Sequence, residues 1–403
     1  MLSTILATTL LAASTVVEPP RWLNVPPLLE GHEAEIAADQ RWLFDNTIID
    51  SSAFIVTLTP EGDPVFDKAS VYLPRLLKMK ELLKDAKGKF GIQFQATIGH
   101  GWVPDSCTPW QKFVGPDGSE PYIFCPLGAE FRAYLQDQVA KLAAIRPDFI
   151  MVDDDTRFIT GREGCFCPLH LREMEKRTGR TWTREALVEA LKTDSALAHT
   201  YDKLLEDSIV DLVQVVRTAF DKVDPSIVGM FCCCACDVRH ASRIARTLAA
   251  PGQRPVLRLN NGRYCHEDAR TIPAWLHRTA LQLSTVDSDV IVLDEPDTCP
   301  QNRYSMSALD LNCHIAMSLL EGCHGAKIWV TRMGQWEPMS GVVYRETLAA
   351  HRGLYEALAE LSPTWEGVKI PLPEKGYFSL KTYWAIGNWG GAFLGRAGIA
   401  FVN

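Results

Sequence analysis

DFIMVDDDTR (148–157) and DVIVLDEPD (289–297) share one form: four apolar residues, then a burst of carboxylates. Short apolar runs bounded by Pro, Gly, Asp or Asn suit strands buried on both faces, as in a parallel sheet. Six other runs have the same character: RWLNVP (21–26), AFIVTL (53–58), FGIQFQAT (90–97), SIVGMFC (226–232), PVLRLN (255–260) and AKIWVT (326–331). Helical patterns lie between them. In 129–144, Phe131, Tyr134, Leu135, Val139 and Leu142 share one helical face, and in 204–220, Leu205, Ile209, Leu212, Val216 and Phe220 do the same. Further helices fit 70–85, 238–249, 272–284, 305–321 and 343–361, with Pro225, Gly252 and Gly322 as stop signals. Eight strands alternating with helices predict an α/β chain folded as a (β/α)8 TIM barrel. A doubly wound sheet is the alternative, but no Gly-rich phosphate loop follows an early strand.

The barrel is expected to occupy residues 21–370. Residues 1–20 form an N-terminal extension or signal, and 371–403, rich in aromatics and glycine, read as the start of a second α/β domain. Residues 5–17 (ILATTLLAASTVV) are apolar, but no Lys or Arg precedes them as in a secretory leader. The expected location is therefore cytoplasmic, with secretion as the alternative. No run is long enough to span a bilayer. With 41 basic against 49 acidic residues, net charge −8, no basic footprint for nucleic acid is expected. A neutral or weakly polar small substrate fits this balance better. Twelve cysteines are many, but Cys232, Cys233 and Cys234 are consecutive and read as free buried thiols.

Barrel enzymes place chemistry at the C-terminal ends of the strands. The fourth strand ends in Asp153, Asp154 and Asp155, then Arg157; the seventh ends in Asp294 and Glu295, then Asp297. Glycoside hydrolysis needs one carboxyl to protonate the leaving oxygen and a second to attack the anomeric carbon or activate water. Crowded aspartates give a physical route to a protonated carboxyl, since like charges close together cannot all ionise. Helix caps, solvated turns and divalent-cation sites are the plain alternatives. A fourth-strand acid facing a seventh-strand nucleophile resembles the large clan of retaining barrel glycosidases.

Cys165-Phe-Cys167-Pro-Leu-His170 follows the aspartates. Two thiolates and an imidazole suit tetrahedral Zn2+, with Cys125 available as a further ligand; ordinary buried cysteines beside a surface histidine are the alternative. The segment from Cys125 to about Val228 resembles glycoside hydrolase family 42, the zinc-containing β-galactosidases. Its Phe-Cys-x-Pro element, strand ending Asp-Asn-Glu and Cys-x-Cys-x-x-Cys motif appear here, in the same order, as Phe124-Cys125-Pro126, Asp153-Asp154-Asp155 and Cys165-x-Cys167-x-x-His170. The resemblance implies a structural zinc on Cys125, Cys165, Cys167 and His170. It also implies Asp155 at the acid/base position, Asp154 at that of the sugar-contacting asparagine, Glu295 as nucleophile, and trimer formation through the second domain. This chain departs from the pattern in carrying Asp for the acidic Glu, Asp for the Asn and His for the last Cys. Asp154 is thus an alternative acid.

Polar and aromatic residues at other strand ends are expected to bind the sugar: His100 and Trp102 after the third strand, Asn260, Asn261 and Arg263 after the sixth, Gln301, Asn302, Arg303 and Tyr304 after Glu295, and Trp329 and Arg332 on or after the eighth, alongside Asp153 and Arg157. The function expected from these features is a retaining glycosidase acting on a β-linked sugar. The competing expectations are a non-catalytic carbohydrate-binding barrel and a metal-dependent hydrolase.

Overall fold

A computed structural model of the chain describes residues 18–96, 103–157, 164–234, 238–262, 272–299, 306–332, 336–338, 341–361, 366–369 and 393–402. Eight parallel strands close into a barrel in chain order: β1 (Trp22–Asn24), β2 (Ser51–Thr57), β3 (Lys89–Gln95), β4 (Phe149–Val152), β5 (Val228–Cys232), β6 (Val256–Arg258), β7 (Ile291–Asp294) and β8 (Gly325–Ile328). Each falls within or overlaps one of the eight apolar runs. The barrel closes where Trp22, Leu23 and Asn24 pair with Ala326, Lys327 and Ile328.

Strand alternation divides the apolar residues into two cores. Leu23, Val25, Ala53, Phe149, Met151, Val228, Met230, Val256, Ile291 and Leu293 fill the barrel interior. Their neighbours, among them Phe54, Ile92, Phe94, Ile150, Val152, Phe231, Leu257 and Val292, face the surrounding helices. Gly91 is required by this filling, because a Cβ there would sit 2.1 Å from the Phe149 ring.

The outer helices are α1 (Glu33–Asp45), α2 (Lys68–Leu83), α3 (Ala129–Ala144), α4 (Pro168–Thr178), α5 (Arg184–Ala190), α6 (Ser195–Asp221), α7 (Val238–Leu248), α8 (Ile272–Leu283), α9 (Ala308–Glu321) and α10 (Val342–Ala359). Side-chain oxygens of Asp67, Asp194 and Ser307 cap α2, α6 and α9, satisfying amides that a helix start leaves open. In α4, Pro168 occupies the first turn and Gly179 ends the helix in the left-handed region, as the asymmetry of helix ends favours. The sequence pattern anticipates seven of these helices and passes over α4, α5 and α1, the last of which buries Glu33, Asp39 and Gln40 beside Ile36, Leu43 and Phe44.

After α10, β9 (Val368–Lys369) pairs in parallel with β10 (Phe401–Val402). Residues 1–17 and 370–392 lie outside the described residues, and with them the N-terminal stretch and most of the expected second domain. Among the described residues, no helix is long and apolar enough to cross a membrane.

Candidate active site and metal centre

The inward alternation of the strands carries through to their C-terminal ends. On β4 it runs Phe149, Met151, Asp153; on β7, Ile291, Leu293, Glu295; on β6, Val256, Arg258; on β8, Gly325, Lys327, Trp329. The fourth- and seventh-strand carboxylates therefore project toward the same axis, with two cations between and below them.

Arg258 is the hub. Its Nη1 donates to Glu295 Oε2 at 2.8 Å and lies 3.7 Å from Asp154 Oδ2, while its Nη2 reaches Asp153 Oδ1 at 3.4 Å. Glu295 Oε2 also accepts from the Gly262 amide at 3.2 Å, and Oε1 lies 3.7 Å from Lys327 Nζ. Lys327 is wholly buried, 4.0 Å from Cys232 Sγ and 4.6 Å from the centre of the Trp329 ring. Buried charges persist only when compensated, and here Arg258 and Lys327 have Glu295 oxygens at 2.8 and 3.7 Å.

The three aspartates have different surroundings. Asp153 accepts from Gln95 Nε2 at 2.8 Å. Asp154 accepts from Asn260 Nδ2 at 3.2 Å and pairs with Arg157 at 3.2 Å. Arg278 in turn donates to Asn260 Oδ1. Asp155 is fully buried and accepts from the Ala96 amide at 2.8 Å, fastening the end of β4 to the end of β3.

Burial pushes the Glu295 carboxyl above its ordinary range; Arg258 and Lys327 oppose that shift and Asp154 and Asp153 add to it. Asp297 is raised to about 7 by burial and then by Glu295, although the Cys299 amide donates to its Oδ1 at 2.7 Å. Behind them, Asp294 accepts from Asn261 Nδ2 at 2.7 Å and lies 3.1 Å from His314 Nε2. Burial works against the Asp294 anion, yet His314 and Asn261 hold it below the usual carboxylate range.

Asp153, Asp154, Arg157, Asn260, Glu295 and Trp329 thus gather at one end of the barrel. Asn261 supports this cluster from behind through Asp294 and Thr279. Arg332 lies 3.3 Å from Glu337 and is part-exposed. His100, Trp102, Arg263, Gln301, Asn302, Arg303 and Tyr304 lie outside the described residues. The pattern reading misses Arg258, Lys327 and Gln95. The signal was present: PVLRLN and AKIWVT each carry one cation at an inward position of an otherwise apolar strand.

The cysteine motif assembles beside α4 and α6. One ligand atom each from Cys125, Cys165, Cys167 and His170, all buried, lie within 4.8 Å of one another. Cys125 Sγ is 3.5 Å from Cys167 Sγ and from His170 Nδ1, and Cys167 Sγ is 3.4 Å from the same nitrogen. On its other side, His170 Nε2 lies 3.4 Å from Ser208 Oγ, whose hydroxyl proton is donated to Leu205 O at 2.8 Å. Ser208 must then accept from Nε2–H, which leaves the Nδ1 lone pair aimed at the thiols. Tyr201 donates to Cys165 O at 2.8 Å and fixes that loop. Three soft sulfurs and one imidazole nitrogen converging in a buried spot fit a divalent metal such as Zn2+.

No family model matches the chain, and no curated protein matches it in sequence. Solved structures match its fold. A β-galactosidase from Bacillus circulans sp. alkalophilus superposes with a TM-score of 0.54 at 12% identity over 93% of this chain and 61% of its own. The cold-adapted β-galactosidase from Rahnella sp. R3 gives 0.57 at 12% identity over 95% and 64%. A GH5_18 protein from Streptomyces cattleya, solved with Manβ1-4GlcNAc, gives 0.51 at 11% identity over 95% and 94%. The chain therefore spans under two thirds of the length of those two β-galactosidases. At these identities the likeness is one of fold.

Proposed function

We propose that this chain is a retaining glycoside hydrolase acting on a β-linked sugar, with Glu295 as nucleophile and Asp154 as acid/base. The observation that carries the reading is the convergence of Glu295 and Asp154 on one guanidinium nitrogen, at 2.8 and 3.7 Å. Two oxygens so close to a single atom cannot be farther apart than the lower end of the about 6.5–9.5 Å that inverting enzymes keep between their carboxyl groups. That supports double displacement. The fold shared with β-galactosidases and the GH5_18 protein supports the substrate class.

In the first half-reaction, a Glu295 carboxylate oxygen attacks the anomeric carbon. The glycosidic C–O bond breaks as Asp154 gives its proton to the leaving oxygen. In the second, water attacks the same carbon, Asp154 takes the water's proton, and the bond to Glu295 breaks. Arg258 and Lys327 offset the burial of Glu295 and favour its charged, nucleophilic form. Asp154 is preferred to Asp155 because it shares Arg258 with Glu295, whereas one oxygen of Asp155 is committed to the Ala96 amide. Asn260 and Trp329 line the same mouth and would contact the sugar.

Cys125, Cys165, Cys167 and His170 would hold a structural Zn2+. With all four positions taken by protein, the ion would brace the segment after β4 and leave no open position for substrate.

One observation favours a second reading, a carbohydrate-binding barrel without turnover: Arg258 pairs with both carboxylates and would have to yield space to a sugar. A panel of aryl β-glycosides assayed with wild type and Glu295→Gln, with product configuration followed by NMR, decides between them. Retention, with turnover abolished in the variant, is expected. Glycan binding without any turnover supports the second reading, and full activity of Glu295→Gln removes the nucleophile.

A further inference from the structure

Beside the carboxylate cluster, at the C-terminal ends of β2 and β3, lies a cavity of about 590 Å³ whose lining includes Thr57, Glu61, Phe66, Lys68, Tyr72 and Gln95. Its volume falls within the about 300–1,000 Å³ of small-molecule sites. Its inner wall is shared with the candidate active site, for Gln95 lines the cavity and also donates to Asp153 at 2.8 Å. Thr57 and Gln95 are register partners on neighbouring strands, so the cavity opens over the barrel rim.

Its composition is that of a sugar site. Phe66 is 52% exposed, unusual for so large an apolar side chain, yet the turn that carries it is held by hydrogen bonds. The ring lies over Gly62, where a Cβ would come within 2.7 Å of it. The Phe66 amide donates to Glu61 O at 2.8 Å, the Gly62 amide donates to Ser106 O at 2.7 Å, and Thr108 Oγ1 donates to Gly62 O at 2.8 Å. An exposed aromatic ring held on a pinned turn is a preformed stacking surface. Tyr72 supplies a second ring, and the Lys68–Glu61 pair, at 3.0 Å, supplies a charged donor and acceptor beside them. Flat apolar faces next to fixed polar groups match the alternating faces and edges of a pyranose.

Chain order puts the cavity on the acid's side of the barrel. The acid protonates the leaving oxygen, so the leaving group must lie on the acid's side. The cavity sits at β2 and β3, next to β4, and away from the nucleophile's strand β7.

We infer that this cavity is a leaving-group subsite that seats the second sugar ring of a β-linked disaccharide or longer oligosaccharide, with Phe66 as its stacking platform. The inference rests on the glycosidase reading and deepens it, making the substrate an oligosaccharide in place of a small monoglycoside.

The test compares lactose and β-1,4-mannobiose with the β-galactosyl and β-mannosyl fluorides, whose leaving group is a single atom and cannot fill the cavity. Wild type, Phe66→Ala and Phe66→Trp are assayed by kcat/KM. The ratio of disaccharide to fluoride kcat/KM should fall roughly tenfold or more in Phe66→Ala and recover in Phe66→Trp. An unchanged ratio overturns the subsite even if both rates move. If neither the fluorides nor the disaccharides turn over, the aryl β-glycoside panel decides the glycosidase reading separately, and the subsite is then read by NMR titration of the same disaccharides. Weaker binding to Phe66→Ala than to wild type supports it, and equal binding overturns it.

Discussion

Arg258 Nη1 donates to Glu295 Oε2 at 2.8 Å with both side chains almost wholly buried, so each offsets part of the other's cost of leaving water. Removing one partner of such a pair costs about 3–5 kcal/mol, because the other is left charged and buried. Arg258→Met and Glu295→Gln should each destabilise the fold in urea unfolding. The double variant should lose clearly less than the sum of the two, because neither member of this pair is then left facing a missing partner. Strict additivity would mean that the two groups do not depend on one another.

Asp297 should make the fold sensitive to pH. Its carboxyl is raised to about 7 by burial and by Glu295. The folded state thus binds this proton more tightly than the unfolded chain, whose aspartates titrate near pH 4. The resulting stabilisation is fully present below about pH 4 and is lost as pH rises through about 7. Asn cannot ionise, so Asp297→Asn should gain stability relative to wild type between pH 4 and pH 8, by an amount on the order of a few kcal/mol. Thermal melts across that range check this; a constant difference between the two proteins would contradict it.

The Cys3His cluster predicts one tightly held zinc per chain. Cys167→Ser should abolish it and lower the melting temperature, as read by metal analysis and calorimetry. Ser208→Ala removes the acceptor that orients His170, and outer partners of this kind are worth about 10–100-fold in metal affinity. Zinc competition with a chromophoric chelator measures that loss. Retention of full zinc affinity in both variants would remove the cluster from consideration as a metal centre.

What the sequence makes legible follows from what each element must bury. The strands are buried on both faces, so FIMV before Asp153 and VIVL before Asp294 read directly as barrel strands. The carboxylates stand out because they end those strands. Helix α1 escapes the pattern because Glu33, Asp39 and Gln40 interrupt the apolar residues of its buried face. Asp39 there pairs with Arg345 from α10, wholly buried, while Gln40 and Thr331 both accept from Asn24 Nδ2 at 3.0 Å. Arg345 lies 306 positions from Asp39 and Thr331 lies 307 from Asn24, where no local periodicity can find them. Arg258 escapes for the same reason: a cation inside an apolar strand makes sense only once Glu295 and Asp153 are known to lie opposite it. The motif match places Asp155 at the acid position, and only three-dimensional contacts separate it from Asp154.

That buried pair at the seam also makes a prediction. Arg345 and Asp39 join the helices flanking the closure of β8 on β1, with Arg345 Nη2 donating to Asp39 Oδ2 at 3.0 Å. Arg345→Met should cost about 3–5 kcal/mol in urea unfolding, since it leaves Asp39 buried without its counter-ion. Arg345→Met with Asp39→Leu should recover part of the loss. No recovery would show that the arginine acts through packing alone.

The two adjacent aspartates should separate cleanly by variant. Asp154 faces Asn260, Arg157 and Arg258 at the mouth, whereas Asp155 is sealed and accepts from the Ala96 amide at 2.8 Å. If Asp154 is the acid, Asp154→Asn should lower kcat by about 10²–10⁴-fold on substrates with poor leaving groups. It should cost far less on glycosyl fluorides or dinitrophenyl glycosides, whose departure needs little protonation. Added azide should restore turnover of those activated substrates and yield the glycosyl azide of retained configuration, because a small anion can replace water without needing a base. Asp155→Asn replaces an anionic acceptor of a buried amide by a neutral one, so its main effect should be on stability, about 1–3 kcal/mol. Its residual activity should show no dependence on leaving group and no response to azide. If the leaving-group dependence and azide response belong to Asp155→Asn instead, the acid is the residue the motif indicates, and the buried contact to Ala96 must open during the reaction.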